Sequence, residues 1–140
     1  MKFSYTLKTS ASPEQIWAIW TDVPHWSEWD TELSNSSLDG AFSLGAIGKL
    51  KPKSGPTSPF KISQFNVGRS YTLTMKLPLS RLSVHRYLHI QPDGTYFTHE
   101  VSFQGFLSFL FGVLLGRKFR MKLPGIMENI KRIAEVEDES

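Results

Sequence analysis

Arg86 and His99 are the residues of this chain best placed to do chemistry, because alternation puts both among apolar side chains. The segments Arg81–Gln91 and Thr95–Gly105 alternate, and Asp93-Gly94 between them is a two-residue hairpin signal. The register that follows opposes Ile90 with Phe97, Leu88 with His99, Arg86 with Val101 and Val84 with Phe103. The apolar members of both strands then share one side, and Arg86 and His99 lie on it. The other side holds His85, Tyr87, His89, Thr98 and Glu100, as a solvated face should. A buried guanidinium needs a counter-charge or an anionic ligand. An imidazole near neutral pH can hold or move a proton. Tyr71 heads a further alternating segment, with Leu73, Met75 and Leu77 on its face, and offers a third polar tip. Purely structural roles compete with these: Arg86 reaching past the sheet edge, and His99 bonding a backbone carbonyl.

Other chemistries find no support. The chain has no cysteine, so it has no disulfide framework and no thiolate. His85 and His89 on one strand stand about 13 Å apart, too far to share an ion. His25 and His99 lack a third ligand, so no metal site is expected. No cofactor is expected either, since the sequence holds no phosphate-cradling glycine loop, no Gly-x-Ser-x-Gly and no paired carboxylate on the apolar side. The net charge of +3 comes without a dense basic stripe interleaved with aromatics, which argues against nucleic acid.

The elements that must hold these residues read as α+β. With 140 residues, 40% of them apolar, one domain over 1–140 can bury one core, and the acidic end from Glu135 should fray. Phe3, Tyr5 and Leu7 alternate as a first strand. Ser12-Pro13 with Gln15 starts a helix whose apolar face is Ile16, Trp17, Ile19 and Trp20. Asp22 is placed to cap a second short helix over Pro24–Trp29. Strands follow near Glu32–Leu38, Ala46–Lys53 (with Lys49, Lys51 and Lys53 on one face), Phe60–Phe65 and Tyr71–Leu77. The N-terminus lacks the apolar block of a leader, and the composition fits a cytoplasmic protein.

The last third is apolar, then basic: Phe106-Leu-Ser-Phe-Leu-Phe-Gly-Val-Leu-Leu-Gly116, followed by Arg117, Lys118, Arg120 and Lys122. The spacing predicts one long helix over most of Phe106–Val136, kinked at Pro124. Its stripe of Phe109, Gly112, Gly116, Phe119, Leu123, Ile126, Ile130 and Ile133 should face the sheet. The two glycines either leave room for a ligand or allow close packing. Leu107, Leu110, Phe111, Leu114 and Leu115 make the segment apolar all round. That fits burial under loops, a pocket mouth, a homodimer contact or a peripheral membrane contact beside the basic flank. A transmembrane helix needs roughly 20 apolar residues, which this run does not supply.

Taken together, several pieces in this order resemble a known family over nearly the whole chain. They are Ser12-Pro-Glu-Gln-Ile-Trp17, Asp22 with Trp26 and Trp29, and Leu38-Asp-Gly40 with Gly45 and Gly48. Then come Gly94-Thr95 with His99-Glu-Val101 and Gly105, and Leu114-Leu-Gly-Arg117 with Leu123-Pro124 and Glu135. The chain resembles the START-like, Bet v 1-like superfamily in its polyketide cyclase/dehydrase and lipid transport branch. The resemblance implies a helix-grip fold. In that fold a curved antiparallel sheet of six or seven strands wraps a long C-terminal helix, with two short helices after the first strand. It implies that Trp17 and Trp29 pack inside, and that an apolar pocket lies between sheet and helix. Such a pocket takes a small apolar, aromatic or lipid-like molecule. Trp20, Trp26, Tyr71, Met75, Arg86, His99, Phe103, Phe109, Gly112 and Gly116 are its candidate lining. If the protein is instead a cyclase or dehydratase, His99 would move a proton and Arg86 or Tyr71 would stabilise an enolate. One fold hosts many functions, so the choice rests on the site.

Overall fold

Ser12 sets the first crossing of the chain. Its Oγ accepts from the Gln15 backbone N at 3.2 Å while the Gln15 side chain accepts from the Ser12 N at 2.8 Å. With Pro13 at the first helical position, this capping box starts α1 (Pro13–Thr21) directly after β1 (Lys2–Thr9). A short 3₁₀ helix, Val23–Glu28, follows. Asp22 does not cap it with its side chain; its carboxylate instead meets His25 Nδ1 at 2.8 Å. In the computed structural model, which describes residues 1–139, these helices carry the chain to the far edge of the sheet.

The chain returns strand by strand: β2 (Leu33–Leu38), β3 (Ile47–Pro52), β4 (Ser58–Asn66), β5 (Ser70–Leu77), β6 (Ser80–Gln91) and β7 (Gly94–Gly105). The result is a curved seven-stranded antiparallel sheet in the order β1-β7-β6-β5-β4-β3-β2. The β6–β7 hairpin turns one residue earlier than expected, which shifts the pairing by two. Gln91 pairs with Gly94, so Leu88 faces Phe97, Arg86 faces His99, Val84 faces Val101 and Leu82 faces Phe103. The turn is Pro92-Asp93, not Asp93-Gly94: Pro92 cannot donate to the ladder, and its fixed φ suits the first corner of a turn. A slip of two residues keeps every side chain on its face. It also makes Arg86 and His99 direct cross-strand neighbours. On the outer face, Thr98 is buried rather than solvated, since β1 lies alongside and its Oγ1 shares a hydrogen bond with Thr6 Oγ1 at 2.7 Å.

The C-terminal segment is two helices, α2 (Ser108–Leu114) and α3 (Gly116–Glu139), interrupted at Leu115. The helix runs on through Pro124, where a kink was expected. Gly112 and Gly116 flank the interruption, and in one continuous helix each would disfavour it by about 1 kcal/mol against Ala. The buried stripe carries across the interruption, since Gly112 and Gly116 are buried in step with Leu123 and the residues after it. Leu123, Ile126, Met127, Ile130 and Ala134 are buried on α3, and the half-exposed Phe119 still packs its ring on Phe103 of the sheet, whereas Phe109, 77% exposed, leaves the expected stripe. Glu135 is tied down rather than frayed: its carboxylate accepts from Thr9 Oγ1 at 3.0 Å and Ser10 N at 3.1 Å. Ser140, the last residue of the expected frayed end, lies outside the described residues.

The core between sheet and helices is aromatic. Trp20, Trp26, Trp29, Phe60, Tyr71, Phe97 and Phe103 are all fully buried. Each such side chain stabilises the fold by roughly 1.5–3 kcal/mol relative to exposure.

Candidate functional site

The site is built where the C-terminal end of α1 meets the start of β5 and the middle of β6 and β7. The Trp20 carbonyl lies at the end of α1, where helix carbonyls lack intrahelical partners. Tyr71 Oη donates to it at 3.2 Å and Trp26 Nε1 at 2.9 Å. Trp20 Nε1 in turn donates to His99 Nε2 at 3.0 Å. An indole can only donate, so His99 is neutral there and its own proton sits on Nδ1. Burial holds the imidazole well below its ordinary pKa, and the nearby Arg86 charge adds to this.

Arg86 is 6% exposed. Its Nη1 donates to Tyr71 Oη at 2.5 Å. The guanidinium lies over three rings: Trp29 at 5.0 Å, Trp26 at 5.1 Å and Tyr71 at 5.6 Å. Its Nε is buried without a hydrogen-bond partner, and among the described residues no carboxylate forms an ion pair with it. Asp30 is the acid that feels it. Burial raises the Asp30 carboxyl, opposed by the Glu32 backbone N–H at 3.0 Å and by the Arg86 charge. Burial likewise raises the Tyr71 phenol, which therefore stays protonated.

The structure thus brings Trp20, Trp26, Tyr71, Arg86 and His99 together. Met75 is half-buried further along β5, opposite Leu82. Phe103 is buried at the far end of β7, 6.3 Å from the Phe119 ring. Phe109 points outward. At Gly112 an added Cβ would stand 2.6 Å from Met1 Sδ, and at Gly116 3.3 Å from the same atom. The Met1 side chain therefore occupies the space the glycines leave, which is the close-packing alternative.

Sequence reasoning did not place Trp29 against Arg86. The signal was present, since side chains three apart eclipse on a 3₁₀ helix. Val23, Trp26 and Trp29 follow that spacing, and all three are buried. Gly48 was also missed as a packing residue. A Cβ there would collide with the Phe60 ring and the Ser37 carbonyl. Phe60 uses the gap to stack on Trp26, with centroids 5.6 Å apart. No residue signal for this close approach exists beyond the glycine itself.

Surface cavities lie elsewhere. One of about 140 Å³ opens beside α1 at Ala18, Asp22, His25 and Trp29. Others of about 550 and 530 Å³ lie across Tyr87, His89 and Tyr96 and along β3–β5. None of the three is lined by Arg86, His99 or Tyr71. None of the three lies between the sheet and α3, where a pocket is expected, and around Arg86 and His99 the aromatic side chains pack on one another. Among the described residues there is no cluster of side chains suited to a metal ion, and no helix is long and apolar enough to cross a membrane.

The arrangement can hold an anion or an electron-rich oxygen. It offers a dry cation with a free donor and an imidazole N–H, walled by indoles, while the Tyr71 phenol is engaged by Arg86 and the Trp20 carbonyl. It is poorly arranged for proton abstraction by His99, whose Nε2 lone pair is engaged by Trp20.

Solved structures share this fold. The di-domain ARO/CYC StfQ from the steffimycin biosynthetic pathway superposes with a TM-score of 0.77 at 13% identity, over 99% of this chain and 52% of that one. The chain thus spans about half the length of StfQ. Protein MLL2253 from Mesorhizobium loti gives 0.73 at 21% identity, covering 96% of this chain and 97% of its own. Ara h 8.0201 gives 0.74 at 15%, covering 97% and 98%. At these identities the likeness is one of fold. No protein of curated function matches the chain significantly in sequence. A family model described as polyketide cyclase/dehydrase and lipid transport does match, and it spans residues 1–135. With the helix-grip architecture and a match over nearly its whole length, the chain belongs to the polyketide cyclase/dehydrase and lipid transport family.

Proposed function

We propose that the protein, acting as one domain, binds a small apolar or aromatic molecule that carries an acidic or enolic oxygen. The ligand lies between the sheet and α3. The observation that carries this reading is Arg86: a buried guanidinium with an unpartnered Nε, no carboxylate in ion-pair contact among the described residues, and three aromatic rings around it. A fold gains nothing from such a group by itself, because an unmatched buried donor costs about 1–3 kcal/mol. An anionic oxygen would satisfy it, with the His99 Nδ1–H as a further donor; the Tyr71 proton is already given to the Trp20 carbonyl and would have to be released to join them. Entry requires the 3₁₀ helix carrying Trp26 and Trp29 to swing aside; its backbone hydrogen bonds are of poorer geometry than an α-helix's, but the burial of both indoles must be given up for it to move.

The test uses native mass spectrometry of freshly purified protein for a retained ligand, and titration with the anionic aromatic probe anilinonaphthalene sulfonate. Arg86→Gln should weaken probe binding by about 10- to 100-fold, the worth of a charge-assisted hydrogen bond. Equal binding by both proteins would overturn the assignment.

A second reading is cyclisation of a polyketone in the same place, with Arg86 and Tyr71 stabilising an enolate. The donors around Arg86 favour it, and the Trp20–His99 bond weighs against His99 as its base. His99→Gln separates the two. A binder keeps its ligand with modest weakening, whereas an enzyme using His99 for proton transfer loses about 10²–10⁴-fold in rate.

A further inference from the structure

Two separate elements put large apolar side chains into solvent side by side. On and just before α2, Phe106 is 86% exposed, Phe109 77%, Leu114 63% and Val113 54%. The β5–β6 turn is Pro78-Leu79, and Leu79 is 71% exposed. Leu79 also sits at a φ of +50°, a left-handed conformation that glycine or asparagine adopts at lower cost. The turn alone gives no reason for a leucine. The two elements are joined. Leu107 N donates to Leu79 O at 3.3 Å, and Gly105 lets the chain cross so close that a Cβ there would be 2.7 Å from Ser80 Cα.

The charge carried by the segments that form this patch is of one sign, and Glu32, from before β2, is the acid that meets it. There is no Asp or Glu between residues 41 and 92, nor between 101 and 127. Arg117, Lys118, Arg120 and Lys122 follow α2 directly, and Arg81 follows Leu79 by two residues. Lys118 and Lys122 also reach Glu32, at 3.4 and 3.6 Å, and Arg120 lies over the Phe3 ring at 5.2 Å. Arg81 Nε donates to Gln104. Arg117 has no ion pair among the described residues. A second copy of the chain docking patch to patch would bring two cationic rims together. An anionic bilayer would take the apolar side chains into its interface and complement the rim.

We propose that Leu79, Phe106, Phe109, Val113 and Leu114, rimmed by Arg117 and its basic neighbours, dock this protein on anionic lipid membranes. The proposal stands apart from the Arg86 ligand reading, because it uses none of the buried cluster.

Vesicle flotation of the full chain tests it, with phosphatidylcholine alone and with an equal mixture of phosphatidylcholine and phosphatidylglycerol. The protein should float with the mixed vesicles and be released by salt. Leu79→Ser with Phe109→Ser should lower partitioning by about a hundredfold, about tenfold per apolar side chain. Arg117→Gln should lower it about fivefold. Because these side chains are exposed, an unchanged thermal melt will confirm that the variants are folded. Arg86→Gln should float like the parent. Three results would overturn the proposal: no flotation with mixed vesicles, equal flotation of the Leu79/Phe109 variant, or loss of flotation in Arg86→Gln, which would assign binding to the interior. A dimer in sedimentation that Leu110→Glu dissociates, with no vesicle binding, would give the patch to a second copy instead.

Discussion

Burying Arg86 without a carboxylate is a cost to the fold, only partly offset by its aromatic neighbours. Cation–π contacts stabilise by about 0.5–2 kcal/mol each. Desolvating an ion costs several kcal/mol even after relaxation. Arg86→Met should therefore hold or raise the melting temperature while removing anionic-probe binding. A clear loss of stability instead would mark Arg86 as a strut of the core. His99 makes a second prediction. Its folded pKa is depressed below the unfolded value of 6.5. The unfolded chain then binds more protons than the native one below that value, so His99 contributes full stability above about pH 6.5 and loses it as pH falls. The slope approaches about 1.4 kcal/mol per pH unit at most. His25 runs the other way, since the Asp22 hydrogen bond raises it, but it is solvent-exposed and screened. Asp30, raised by burial, also opposes the trend, though only in the carboxylate range. Thermal melts from pH 7 to about pH 5 should fall for the parent and flatten for His99→Gln, whose amide oxygen can still accept from Trp20. Equal slopes in both would remove His99 as the titrating group.

At the scale of elements, the glycines around Leu115 separate two effects. Gly116→Ala meets only ordinary or slightly tight contacts, and as the first residue of α3 it should gain only part of the ~1 kcal/mol that glycine costs a helix interior. Gly112→Leu must displace Met1, whose N-terminal amine donates to Phe103 O at 3.3 Å and whose carbonyl accepts from Phe103 N at 2.9 Å. Overpacking of this kind costs about 1–3 kcal/mol. Opposite shifts in melting temperature are the expected result, and a rise at both positions would show Met1 to be dispensable. Gly48→Ala on β3 should be worse than either, because the colliding partners are a backbone carbonyl and a buried ring rather than a flexible terminus. The changed packing of Phe60 on Trp26 should appear in the near-ultraviolet circular dichroism.

At the scale of the molecule, closure is long-range. β1 pairs with β7, so Phe3 meets Val101 and Leu7 meets Phe97, and Glu135 reaches back to Thr9. Loop-closure entropy must be met before these contacts form. Refolding followed by tryptophan fluorescence should take milliseconds to seconds, as for other sheets dominated by distant pairs. A microsecond phase carrying the full amplitude would contradict that.

Much of this was legible in the residues, for physical reasons. Period-two alternation fixed which face each of Arg86, His99, Leu88 and Val101 occupies, and parity survives a slip of two. The Ser12-Pro13-Gln15 signature fixed the start of α1, because capping is local. The apolar character of 106–115 and the basic run after it were plain. Other features depend on contacts between residues far apart in sequence, which no local pattern encodes. The β6–β7 register turned on which pair of residues made the corner. The interruption at Leu115 and the outward turn of Phe109 followed from the glycine pair and from Met1, a hundred and more residues away, filling the space beside it. Whether the sheet and α3 enclose space or aromatic rings depended on the summed volumes of Trp20, Trp26, Trp29, Phe60, Tyr71 and Phe97. Side-chain volume is in the sequence, but the distance it must fill is set only when strands and helices meet. Alternation could put Arg86 inside; only the folded chain decided that it would meet three rings and no carboxylate.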